Sequence, residues 1–237
     1  MEQHPETVLP ATPASGAGCF PFFADNDPIL RMDWLSPHPM PLWKRMMDVV
    51  GATVGLIIFL PIMLIAAGLI CLSSRGPIIF RQRRAGLKGR AFTIYKFRTM
   101  APNAERLRAG LTPLSEQDGP AFKMTNDPRV TLIGRFLRTT SLDELPQFWN
   151  ILIGNMSLVG PRPLPLEEAN ACAPWHRRRL EVTPGLTGLW QVRGRSKVCF
   201  DEWMRMDMEY IRHRSLLRDL AILFLTIPAV ILRRGAH

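Results

Sequence analysis

Residues 49–72 read VVGATVGLIIFLPIMLIAAGLICL. No charged residue interrupts these 24 positions, and Pro61 stands at their centre. An unbroken helix of this length would extend about 36 Å, enough for a bilayer core of about 30 Å. A proline inside a helix removes a backbone donor and clashes with the preceding turn. Lys44 and Arg45 precede the run, and Arg75, Arg81, Arg83, Arg84, Lys88 and Arg90 follow it. Basic flanks favour the cytoplasmic side, so two basic flanks favour the same side. The stretch predicts a helix that enters the membrane, bends at Pro61 and returns, with an ordinary kinked span as the alternative. Backbone freed at that depth must be re-bonded locally or covered by protein.

Outward from this run, the chain divides by composition. Residues 1–41 are rich in proline and small residues and predict a disordered tail. Residues 42–74 form the membrane helix, 75–220 a cytoplasmic domain, and 221–237 a C-terminal segment that lies at the interface or packs on the core. The net charge of +10 is unevenly placed. Residues 1–42 hold Arg31 against Glu2, Glu6, Asp25, Asp27 and Asp33, so the remainder carries +14. That surplus suits anionic headgroups of membrane lipids and phosphorylated ligands. Nucleic acid would attract the same charge, but no nucleic-acid motif accompanies it, and no such partner is expected. Cys19, Cys71, Cys172 and Cys199 show no CxxC spacing and predict reduced thiols. Residues 1–20 lack the basic start and apolar core of a signal peptide.

The fold class expected is α+β, with amphipathic interfacial helices and a small β-hairpin. Residues 78–81 and 92–97 have strand composition, and Gly86 and Gly89 supply the turn. Residues 101–126 read as a mobile loop with a short helix at 104–109. Val130, Ile133, Phe136 and Leu137, interleaved with arginines, mark an amphipathic helix suited to the interface plane. Residues 145–152 and 201–214 read as helices, 174–180 as a basic helical turn, and 154–165 and 183–196 as loops.

The chemistry concentrates around Ser141-Leu142-Asp143-Glu144-Leu145-Pro146. Ser-x-x-Glu is a capping-box pattern, and Pro146 in a first helical turn would instead make Asp143 the cap. Either register puts Asp143 and Glu144 at a helix N-terminus, which favours their ionised forms. An ionised aspartate can attack phosphorus or bind a metal; two plain caps are the bland alternative. Lys96 and Arg98 alternate on a strand and so share a face. Arg162 is held between Pro161 and Pro163, and a fixed guanidinium suits phosphate; a structural arginine bound to carbonyls is the alternative. Gln191, Arg193 and Arg195 sit among glycines where backbone can approach a nucleotide. Trp190 reads as either a base-stacking ring or core packing. A carboxylate can strike a phosphate only if cations, including Mg²⁺, screen the charge.

Five stretches now stand in order: Lys44-Arg45-x-x-Asp48; Gly76-Pro77-Ile78-Ile79-Phe80 with Tyr95-Lys96-Phe97-Arg98-Thr99-Met100; Ser141-Leu142-Asp143-Glu144-Leu145-Pro146-Gln147; Met156-Ser157-Leu158-Val159-Gly160-Pro161-Arg162-Pro163; and Pro184-Gly185-Leu186-Thr187-Gly188-Leu189-Trp190-Gln191-Val192-Arg193-Gly194-Arg195. With them, residues 44 to about 220 closely resemble the bacterial sugar transferase family, the monotopic phosphoglycosyl transferases. The resemblance implies a re-entrant helix broken at Pro61 and a catalytic domain on the cytoplasmic face of the bacterial inner membrane. It implies transfer of a sugar-1-phosphate from a UDP-sugar to polyprenyl (undecaprenyl) phosphate, with release of UMP, at the start of exopolysaccharide or other glycoconjugate assembly. Asp143 would be the nucleophile that carries the phosphosugar, and Glu144 would assist through Mg²⁺, with both carboxylates as metal ligands. Lys96, Arg98 and Arg162 would contact phosphates. Homo-oligomers and downstream glycosyltransferases join the expected partners. The chain departs from many family members at Leu60, where a serine commonly precedes the proline.

Overall fold

The structure is a computed structural model that describes residues 39–102, 104–193 and 198–231. The expected tail therefore lies almost wholly outside the described residues, as does Arg195.

Helix α1, Leu42–Ser73, begins directly after Pro41, whose fixed φ suits a helix start and whose carbonyl accepts from Lys44 and Arg45. Helical backbone continues through Pro61, so the expected interruption is no wider than a bend within one helix. From Val49 to Leu72 the helix is apolar all round, and Val50, Ile57, Ile58, Leu64, Ile65 and Leu72 stand exposed; such a helix needs a core or a bilayer around it. Its packed face is built from small residues. A Cβ on Gly51 would lie 2.5 Å from Leu158, and one on Gly55 would lie 2.9 Å from the Phe148 ring. On the other side of Pro61, Ala66 and Ile70 pack with Phe97 and Leu137. Both halves of α1 therefore lean on the same body.

The hairpin comprises β1, Ile79–Ala85, and β2, Ala91–Phe97, paired antiparallel from Ile79↔Phe97 to Ala85↔Ala91. Its turn uses left-handed backbone at Lys88 and Gly89. Helix α2, Ala104–Leu111, follows. Residues 115–126, expected to be mobile, are tied in several places. Asp118 accepts from the Phe200 amide at 2.8 Å, and Glu116 binds the amide and hydroxyl of Thr125. Helix α3, Leu132–Thr139, is capped by Thr131, which accepts from Gly134; Leu137 is buried while Leu132 and Phe136 face outward. Helix α4, Gln147–Leu152, docks on the hairpin through buried Asn150. This side chain donates to Thr93 O at 2.7 Å and accepts from the Tyr95 amide at 3.1 Å.

Two loops expected at 154–165 and 183–196 contain a parallel strand pair, β3, Ser157–Val159, and β4, Gly185–Thr187. Between them come α5, Leu166–Asn170, and a tight helical turn, His176–Glu181, where the basic turn was expected. Gly185 is required because a Cβ there would lie 2.0 Å from the Gly160 nitrogen. Helix α6, Leu189–Arg193, follows β4 directly. Helix α7, Phe200–Arg212, buries Trp203, Met204, Met206 and Tyr210. Helix α8, Leu216–Ile231, starts before the expected segment at 221; it buries Ile222 and exposes Leu217, Phe224 and Ile227. Cys71 and Cys172 are free thiols, whereas Cys199 is disulfide-bonded, contrary to the expectation of reduced thiols.

The first turns of α1 form a polar clasp. Buried Lys44 donates to Asp219 at 2.6 Å, to Val159 O at 2.9 Å and to the Tyr210 hydroxyl at 3.2 Å. Arg45 donates to Ile151 O and Leu152 O, the last carbonyls of α4, at 2.7 and 2.6 Å. Asp48 accepts from Ser157 Oγ at 2.9 Å and from the Leu158 amide at 2.8 Å. Lys44, read above as part of a basic flank, is engaged in an internal ion pair with Asp219.

Candidate active site

The site is built where α3 gives way to α4. Ser141 takes left-handed backbone (φ 56°), Leu142–Glu144 form a single tight turn, and Pro146 starts α4. No side chain here caps a helix. Both capping registers expected from the sequence are thus corrected: an N-cap needs extended backbone, which Ser141 lacks. The turn instead projects its two carboxylates toward β2 and the proline-rich segment after β3.

Glu144 is clamped. Its Oε1 accepts from Lys96 Nζ and Arg162 Nη2, each at 2.6 Å, and Arg162 Nη1 lies 3.4 Å from Oε2. Burial alone would raise its pKa, but Arg162 and Lys96 outweigh that and hold it well below the usual carboxylate range. Asp143 is treated differently. Lys96 Nζ stands 3.9 Å from its Oδ2, and among the described residues no donor hydrogen-bonds to it. Burial, with Glu144 adding, pushes its pKa up to about 6, against the pull of Lys96, Arg138 and Arg162. At neutral pH Asp143 is therefore ionised, largely stripped of water and poorly partnered, which are the conditions for a nucleophile.

Of the expected phosphate contacts, Lys96 and Arg162 meet at the carboxylates. Arg98 does not: its Nη2 donates to Ser74 O and Ser74 Oγ, both at 2.8 Å, and so ties down the end of α1. The alternation rule that paired it with Lys96 stops applying once β2 ends at Phe97. Arg138, read only as part of an interfacial helix, is after Lys96 the next strongest positive charge acting on Asp143. Burial lowers its pKa, Asp143 is the strongest charge opposing that, and its Nε donates to Thr99 Oγ1 at 3.0 Å. Its position five residues before Asp143, in the last turn of α3, was the available signal. Arg138 also lines an open cleft with Thr125, Asn126, Asp127, Val130, Arg135 and Thr139.

Gln191 and Arg193 make contacts within the protein. The Gln191 amide donates to Leu186 O at 3.1 Å, and Arg193 pairs with Glu209 at 3.5 Å. Trp190 stacks on Trp203 with centroids 4.1 Å apart, which answers to the packing alternative. Among the described residues, no hydrogen bond or ion pair joins these residues to Asp143 or Glu144.

A divalent cation can be weighed against these donors. Among the described residues no cluster of three acidic, histidine or cysteine side chains exists. Mg²⁺ commonly takes one or two carboxylates and completes its shell with water and substrate phosphates. Asp143 fits that role; Glu144, expected as a second ligand, has its oxygens engaged by Lys96 and Arg162.

The bacterial sugar transferase model matches residues 40–233. The chain is 43% identical over 201 residues to the galactosyl transferase CpsE of Streptococcus agalactiae serotype III, covering 81% of this chain and 43% of that one. It is 42% identical over 201 residues to the exopolysaccharide production protein ExoY of Sinorhizobium fredii, covering 82% and 88%. It is 43% identical over 206 residues to a UDP-glucose:undecaprenyl-phosphate glucose-1-phosphate transferase of Caulobacter vibrioides, covering 83% and 72%. The chain belongs to the bacterial sugar transferase family. It spans less than half of the first of these relatives and most of the other two.

Proposed function

We propose that this chain transfers a sugar-1-phosphate from a UDP-sugar to undecaprenyl phosphate through a covalent intermediate on Asp143, starting exopolysaccharide or a related glycoconjugate. The observation that carries this reading is the unequal treatment of adjacent carboxylates: Glu144 is clamped by two cations while Asp143 is buried, ionised and, among the described residues, without a hydrogen bond. The relatives' names, which couple UDP-glucose with undecaprenyl phosphate and an ExoY protein with exopolysaccharide, point the same way.

In this mechanism an Asp143 oxygen attacks the β-phosphorus of the donor. The bond from that phosphorus to the bridging oxygen breaks, and UMP leaves with the electron pair. A phosphate oxygen of the lipid then attacks the same phosphorus and displaces Asp143 as a free carboxylate. Lys96, Arg138 and Arg162 surround the position where negative charge accumulates, and such preorganised cations favour the transition state. Glu144 holds Lys96 and Arg162 in place. Mg²⁺, held by Asp143 together with donor phosphates, would supply further charge neutralisation.

Membrane topology belongs to the same proposal. The Lys44 clasp and the Ile70–Phe97 packing fasten both halves of α1 to one body, which supports a re-entrant, monotopic anchor over a straight crossing. Exposed Leu132 and Phe136 on α3, Trp149 and Ile153 beside α4, and Leu217 and Phe224 on α8 extend the apolar surface. The catalytic domain then lies on the cytoplasmic face of the inner membrane, and downstream glycosyltransferases receive its product.

The test is nucleotide release by the full chain in nanodiscs containing undecaprenyl phosphate and Mg²⁺, with UDP-glucose and UDP-galactose as donors. Lipid-dependent UMP formation from either donor is the expected result. Transfer of sugar without phosphate, seen as UDP release, would overturn the reading.

A further inference from the structure

Two of the four residues in Gly160-Pro161-Arg162-Pro163 lack an N–H, so the segment has few backbone donors of its own, and the Gly160 amide donates to Thr187 O at 2.8 Å. Its carbonyls are gripped from outside. Pro161 O accepts from the Gly185 amide at 2.9 Å, Pro163 O from Arg84 at 2.7 Å, and Leu164 O from the Ala85 amide at 2.9 Å. The carbonyl of Arg162 itself accepts from Arg179 Nη2 at 2.6 Å. Gly160, Pro161 and Pro163 are buried, so packing and the hydrogen bonds to the carbonyls fix the segment together.

Arg179 is built for it. The side chain is 4% exposed, pairs with Asp207 of α7 at 2.7 Å, and lies over the Trp203 ring at 5.3 Å from the centroid. It touches neither Asp143 nor Glu144. A planar guanidinium presents its donors in a fixed fork, so serving a carboxylate and a carbonyl at once leaves it little freedom, whereas an ammonium on a flexible stem sets their relative direction less tightly.

We propose that Arg179, held by Asp207, is a positioning residue: by gripping the Arg162 carbonyl it sets where the Arg162 guanidinium stands over the phosphates. This rests on the reading of Arg162 as a phosphate contact. A purely structural ion pair predicts something different, namely lost folded protein with unchanged turnover per folded molecule.

The experiment is a kinetic cycle on the full chain in nanodiscs with undecaprenyl phosphate and whichever of UDP-glucose or UDP-galactose turns over. Arg179→Lys, Arg162→Lys and the double variant are compared, with rates normalised to folded, membrane-bound protein. Misplacing a catalytic group by about 1 Å can cost about 100-fold, so Arg179→Lys is expected to lower kcat by about 10- to 100-fold. In the Arg162→Lys background the same change should cost about threefold or less, because its target is already displaced. Independent, multiplicative losses would overturn the proposal, as would a wild-type kcat in Arg179→Lys. Should Arg179→Lys fail to fold, Asp207→Asn keeps the shape and removes the anchor; a kcat reduced about tenfold supports the proposal and an unchanged kcat sinks it. If Arg162→Lys turns over normally, the phosphate reading of Arg162 fails on its own, whatever Arg179 does.

Discussion

Lys44 and Asp143 are both charged and almost fully buried, yet one is closed off and the other left open. Lys44 spends its donors on Asp219, Val159 O and the Tyr210 hydroxyl. Among the described residues, Asp143 has an ion pair with Lys96 at 3.9 Å and no hydrogen bond, with Arg138 and Arg162 acting on it electrostatically. Both clusters border the same strand and proline-rich segment, residues 157–163. Breaking a fully partnered buried pair strands a charge and costs stability. A poorly partnered buried carboxylate already bears that cost in the folded state, and what it retains is reactivity. The contrast separates a clasp from the candidate site without reference to any substrate.

Asp143→Asn bears hardest on this contrast. It should lower turnover by about four orders of magnitude or more, as loss of a nucleophile does elsewhere, while leaving Tm equal to or above that of the parent. A matching fall in Tm would break the comparison. Asp219→Ala should do the reverse. Removing the partner of Lys44 should cost about 3–5 kcal/mol in stability, read as a lowered midpoint in denaturation, with kcat per folded molecule close to that of the parent. Arg162→Ala falls between these. It should reduce kcat by about 100- to 1000-fold, the scale of losing one preorganised donor, with a smaller change in melting.

The smallest effect is the pH dependence. Burial raises Asp143 from its ordinary value of 3.8 to about 6, so the folded state prefers its protonated form. That preference contributes stability fully below about 3.8 and loses it as pH rises through about 6. Asp143→Asn removes the titration. Without added divalent cation, the variant should melt above the parent at pH 8, by an amount worth about 2–3 kcal/mol at most, and the gap should close by pH 4. Activity of the parent runs the other way, falling as pH drops through about 6 because the attacking carboxylate is lost. A Tm gap that stays constant from pH 8 to pH 4 would contradict the burial argument.

The elements with strong local patterns were legible. The apolar run gave α1, the glycines at 86 and 89 gave the hairpin turn, and the arginine-laced stretch gave α3. Asp143 and Glu144 were legible as a chemical pair, but their environments were not. Their burial and their distances to Lys96 and Arg162 depend on contacts across 18 to 48 residues. The β3–β4 pair was missed because three-residue strands buried on both faces show no alternation, and Gly185 reads as loop when it serves a close approach. That Arg98 reaches Ser74 and that Arg138 acts on Asp143 was not legible, because periodicity tells which face a residue shares, not where a long side chain reaches. Lys44-Arg45-x-x-Asp48 was read as a membrane flank because its partners, Asp219 and Ser157, lie more than 100 residues away.

The most direct measurement is mass analysis of the protein after brief exposure to the UDP-sugar donor in nanodiscs lacking undecaprenyl phosphate, followed by proteolysis. The account predicts a hexose-phosphate adduct on the peptide carrying Asp143, discharged when undecaprenyl phosphate is added. Discharge-competent adduct on another residue, or full turnover by the Asp143→Asn protein, would contradict it.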